Sequence, residues 1–94
     1  ESLARAIALD AVDHRPHGAR GELLGRLEQW GEALEAYDAA IARAPEVGAL
    51  HLGRGVALAR LGRRQDAVVA LRRTQSLGLR DPALDALLGE LSAR

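Results

Sequence analysis

The 94-residue sequence predicts an all-α chain built as an α-solenoid, antiparallel helix pairs stacked side by side, and three observations predict it. The first is helical periodicity. In the stretch WGEALEAYDAAIARAP, from Trp30 to Pro45, the residues Ala33, Leu34, Tyr37, Ala40, Ile41 and Ala44 recur at the spacing of one helical face. The second is an internal repeat. A shift of 34 residues lays Gly21 on Gly55, Leu24 on Leu58, Leu27 on Leu61, Ala33 on Ala67, Leu34 on Val68 and Tyr37 on Leu71, and a further shift takes Gly55 to Gly89. A period of this size marks supersecondary units that bury their apolar faces against one another. The third is side-chain size. Nearly half the residues are apolar, yet Trp30 and Tyr37 are the only aromatics, so the core is Ala and Leu and suits thin, closely approaching helices.

Taken in order, Leu3 to about Asp10 is expected to be helical, the second helix of an earlier unit, because Tyr37, Ala40 and Ile41 shift back onto Leu3, Ala6 and Ile7. Ala11 to Arg15 reads as a turn with Asp13 as N-cap and Pro16 in the first turn of the next helix. That helix runs to about Leu27 and carries Gly18, Gly21 and Gly25. Each glycine costs roughly 1 kcal/mol of helix propensity against alanine, so packing must hold this helix, and it is the element expected to be least protected. Glu28 to Trp30 reads as a tight turn, Gly31 to Ala44 as a helix ended by Pro45, and Pro45 to Gly48 as a connection. The next pair is expected over Ala49 to Leu61 and Gln65 to Leu77, with Gly62, Arg63 and Arg64 between them. Gly78 stands where a glycine closes a helix, and Asp81 followed by Pro82 is a start signal. The last helix, Pro82 to about Ser92, turns Leu84, Leu88 and Leu91 inward and leaves Asp85, Glu90, Ser92 and Arg94 outside, as a terminal cap requires. The whole reads as one domain: residues 1–12 end one repeat, 14–47 and 48–81 are two full repeats, and 82–94 cap them.

The composition narrows the function. Without cysteine there is no disulfide and no thiolate metal site. No apolar run approaches the ~20 residues of a membrane span and no signal-peptide pattern opens the chain, so the expected setting is the cytoplasm, with no membrane partner. The first residue is not Met and the first unit is half a repeat, which suggests an excerpt of a longer protein, such as the recruiting arm of an enzyme. Formal charge is zero overall but uneven: up to Leu50 nine acids face five arginines, a net of −4, and the remainder carries +4. A dipolar module favours head-to-tail contacts or acidic partners, and it lacks the basic excess of a nucleic-acid binder.

Gly21, Ala33, Tyr37, Ala40 and Pro45, with Gly55, Ala67 and Leu71 one period later, resemble the tetratricopeptide repeat, and ARGELLGRLEQWGEALEAYDAAIARAP is similar to its bacterial versions. In the second unit Thr74 replaces the expected alanine and Leu79 the expected proline, and His17 and His51 stand where the family often has tryptophan. The resemblance implies about six helices in a right-handed superhelix, the first helix of each pair lining a concave groove that binds peptides or proteins. The family's Lys, Asn and Arg clamp for a C-terminal carboxylate does not carry over, since Gly18 and Glu22 occupy its places in the first unit.

On that footing the groove residues are Glu22, Arg26, Leu52, Val56, Ala59, Arg60, Glu90 and Arg94. Leu52, Val56 and Ala59 lie opposite the His51, Gly55 and Leu58 stripe and either floor the groove or are covered by neighbouring first helices. Arg26, Arg60 and Arg94 recur at one repeat position; they form a ladder for carboxylates or phosphates, or they complement helix dipoles and stay solvated. Arg20 and Arg54 precede recurrent glycines and can reach an acid on the neighbouring helix. His14 and His17 have a spacing that metal ligands can share, but no third ligand is forced nearby, and structural packing is the preferred reading. No serine or threonine has a histidine at a forced spacing, and no strand or glycine-rich phosphate loop is expected, so neither catalysis nor a cofactor is. The expected function is a non-catalytic scaffold that holds a peptide or protein segment, with self-association through the repeat ends as the alternative.

Overall fold

The computed structural model describes residues 14–92. These form five helices: α1 (Arg15–Arg26), α2 (Trp30–Arg43), α3 (Gly48–Arg60), α4 (Arg64–Ser76) and α5 (Pro82–Ser92). All five expected over this range are present, with ends within about a residue of the expected ones. Arg15, Trp30, Gly48 and Arg64, expected in connections, are instead the first residues of α1, α2, α3 and α4. The helix expected over Leu3 to Asp10, the Asp13 cap and Arg94 lie outside the described residues.

Short turns fold the chain back on itself, so α1 pairs with α2 and α3 with α4, α2 then packs on α3, and α5 rests on α4. The outcome is an elongated stack of about 54 × 27 × 19 Å. Three of the turns close in the same way. After α1 the backbone enters the left-handed region at Glu28 (φ 58°), after α3 at Gly62 (φ 81°) and after α4 at Gly78 (φ 92°). The next amide then reaches back over the helix end: Gln29 N–H donates to the Leu24 carbonyl at 2.9 Å, Arg63 N–H to Leu58 at 2.9 Å and Leu79 N–H to Thr74 at 3.3 Å. This six-to-one bond satisfies carbonyls that the helix leaves open. The end of α2 differs, because Pro45 follows at once and Ala44 takes an extended φ of −145°. At the start of α5 the Asp81 carboxylate accepts from Ala83 N–H at 2.9 Å, the cap that the Asp-Pro pair announced.

Alanine and leucine fill the interior. Ala33, Ala40 and Ala67 are sealed where helices approach closely, and Leu58, Leu71 and Leu84 are the largest apolar side chains fully buried. Truncating such a leucine to alanine costs about 2–5 kcal/mol. The repeat acts through the contacts of glycines. A Cβ added at Gly21 would meet the Tyr37 ring at 3.0 Å, and one at Gly55 would meet Leu71 Cδ2 at 2.6 Å, so the large residue of each second helix lies on the glycine of the first. Tyr37 does more, since its ring also fills the space over Gly53 of α3 and so joins three helices. Beside Gly89, the third glycine of the series, there is open space.

Candidate functional site

The two faces of α3 have different fates. His51, Gly55 and Leu58 are buried, and His51 Nε2–H donates to the Pro45 carbonyl at 2.7 Å, which explains a histidine inside the stack without any ligand. On the other face Leu52, Val56 and Ala59 are half-buried. Beside them α5 is anchored mainly by Leu84, which is 1% exposed, and by Leu91, which packs against the Leu58, Ala67 and Ala70 cluster. Between these helices and the start of α4 lies a cleft of about 320 Å³, lined by Val56, Ala59, Arg60, Arg64, Leu87, Glu90 and Leu91. Its lining combines four aliphatic side chains with the guanidinium groups of Arg60 and Arg64 and the carboxylate of Glu90.

Four of the sequence-expected groove residues therefore meet in one place: Val56, Ala59, Arg60 and Glu90. Leu52 is not among the lining residues. Glu22 and Arg26 also lie apart from the cleft and bind each other along the exposed side of α1, with Arg26 Nη2 2.8 Å from Glu22 Oε1. An i, i+4 pair of this exposure contributes about 0.3–0.5 kcal/mol. The arginine ladder is not uniform, because Arg60 instead holds its guanidinium over the Trp30 ring, 5.7 Å from the centroid. Arg54 does reach an acid on the neighbouring helix, Asp38, at 2.6 Å. Arg20 lines a separate cleft with His17, Glu32, Glu35, Ala36 and Ala39. Among the described residues no three of the His, Asp and Glu side chains are grouped so as to hold a metal ion.

Sequence reasoning missed Arg64, Leu87, Leu91 and Trp30. A signal existed, since a 34-residue shift lays Trp30 on Arg64. Where the first unit has an indole for the arginine of α3 to cover, the second has another cation. Tyr37 also carries an electrostatic signature: its phenol titrates above the ordinary value, first because burial disfavours the phenolate and then because the Glu22 carboxylate repels it.

This architecture, helix hairpins stacked through glycine and alanine contacts, is a tetratricopeptide-repeat-like α-solenoid. The backbone is similar to the crystal structure of YrrB, a TPR protein with an unusual peptide-binding site, with a TM-score of 0.85 over 99% of this chain at 20% identity. The chain spans about half, 48%, of that structure. No protein-family model and no curated protein matches the sequence. Among the described residues no helix is long and apolar enough to cross a membrane.

Proposed function

We propose that the chain is a non-catalytic protein-interaction scaffold that holds a segment of another protein along the face formed by α3 and α5. The observation that carries this reading is the cleft itself, lined by the aliphatic residues Val56, Ala59, Leu87 and Leu91 together with Arg60, Arg64 and Glu90. Sites for extended or helical segments combine apolar pockets with a few placed polar groups in this way. The similarity to YrrB, described by its peptide-binding site, supports the same reading. In this proposal residues 14–47 and 48–81 are full repeats, 1–12 and 82–94 flank them, and the chain serves as a domain that recruits partners for a larger assembly. The test is selection of displayed peptides on the chain, followed by Val56→Glu and Arg60→Glu. Each is expected to weaken the selected binders at least tenfold, and unchanged binding by both removes the groove.

A second reading, self-association, is favoured by Leu23 in the last turn of α1 and Leu27 just after its end, which are 56% and 58% exposed. Sedimentation velocity at high concentration decides it, and a monomer ends it.

A further inference from the structure

We infer that the α3–α5 cleft reads an acidic segment, one in which an aliphatic side chain enters the cleft while an adjacent Asp or Glu carboxylate meets Arg60 and Arg64. The inference rests on the groove reading and adds the chemistry of the occupant. Three observations carry it. The first is charge: two guanidinium groups and one carboxylate line the cleft. Several other arginines already have acids, with Arg26 on Glu22, Arg54 on Asp38 and Arg63 on Asp66. Among the described residues Arg60 and Arg64 have no such ion pair. Their charge is left for an incoming carboxylate, which guanidinium binds through two parallel hydrogen bonds.

The second observation is preorganisation. Arg60 ends α3 and lies over the Trp30 face, which begins α2. Stacking restricts a side chain that is otherwise rich in rotamers, while the fork of N–H donors at the edge of the guanidinium plane stays available. Less freedom is then lost when a ligand binds. The third is size. A cleft of about 320 Å³ stands at the small end of the ~300–1,000 Å³ of ligand pockets, enough for one or two side chains of a segment and not for a folded surface. Glu90 on α5 sharpens the choice. It repels a second carboxylate, so a single acid next to the aliphatic residue is read, rather than a long acidic run.

The experiment uses the whole 94-residue chain and three matched series of labelled 12-residue peptides, with a central Leu followed by Glu, Gln or Lys, read by fluorescence anisotropy. The Glu series is expected to bind at least tenfold tighter than its Gln isosteres, and to weaken as salt is raised. Arg60→Gln should remove most of the advantage of the Glu series over the Gln series, Arg60→Gln with Arg64→Gln should remove all of it, and both should leave the Gln series unchanged, a coupling that a general loss of folding does not produce. Arg60→Lys, which keeps the charge and loses the fork, should fall between. Trp30→Leu, with helicity checked by circular dichroism, should weaken the Glu series alone, as a positioning residue would. Equal binding of the Glu and Gln series, or preference for Lys through Glu90, overturns the inference and leaves the groove standing. If no series binds, or if Val56→Glu changes nothing, the groove reading falls and this inference with it.

Discussion

Alanine in place of glycine inside a helix ordinarily stabilises, and at Gly53 it should do the opposite. Gly53 lies within α3, so helix propensity alone favours Gly53→Ala by about 1 kcal/mol. The new Cβ, however, would fall 2.3 Å from Cζ, 2.5 Å from Cε1 and 2.7 Å from Cε2 of Tyr37. The ring is planar and has little room to retreat, because it also lies on Gly21 of α1, where a Cβ would stand at 3.0 Å. Relief therefore requires α3 to separate from α2, or Tyr37 to leave its rotamer. Overpacking of this kind costs about 1–3 kcal/mol, and a rigid ring already in contact with two other helices places the cost toward the upper part of that range. The expected net is a loss of about 1–2 kcal/mol, which for a domain of this size lowers Tm by ~5–15 °C. Gly89→Ala is the internal standard. It sits within α5 with open space beside it and should gain up to ~1 kcal/mol from the same change of residue. Thermal and urea unfolding followed by circular dichroism measure both, and Tyr37→Leu with Gly53→Ala should recover most of the loss. If Gly53→Ala stabilises as much as Gly89→Ala, Tyr37 is not wedged between the helix pairs, and the account of how they join is wrong.

Three further outcomes are expected. Glu28 takes φ 58° at the repeat position where Gly62 takes 81°, so Glu28→Gly should stabilise by about 0.5–1 kcal/mol, while Gly62→Ala should destabilise by ~1 kcal/mol, both read as urea midpoints at constant slope. Tyr37 is the only tyrosine, and its absorbance near 295 nm should report ionisation above the ordinary value of about 10. Because its folded pKa is raised, the stabilising contribution is whole below the unfolded value and is lost as pH climbs through the folded one; an ionisation at the free-phenol value would refute the half-buried placement between the helices. The Asp38–Arg54 pair, 2.6 Å apart and partly exposed, should show a coupling of ~0.2–1 kcal/mol in a double-mutant cycle that fades at high salt.

Local rules explain what was legible in the chain. The apolar spacing around Ala33, Tyr37 and Ala40 is a property of one helix, and the helix is where it was expected. Asp81 before Pro82, and Gly78 after Leu77, act on their own turns, and both have the backbone roles that their chemistry implies. The 34-residue period is written into the chain as well, and with it the seating of Tyr37 on Gly21 and of Leu71 on Gly55.

What only tertiary structure decided are the relations between helices that are not paired. Whether Val56 and Ala59 are covered or open depends on where α5 comes to rest, and that follows from how Leu84 and Leu91 find space against α4 and its neighbours. Arg26 and Arg60 share a repeat position yet part company, because one has Glu22 a turn away and the other has an indole arriving from α2. Glu28 is forced into the left-handed region by the closure of α1, at a place where its own preference argues against it. A single helix determines its faces through 3.6-residue geometry, but the width of a gap between two helices is determined by the side chains of a third.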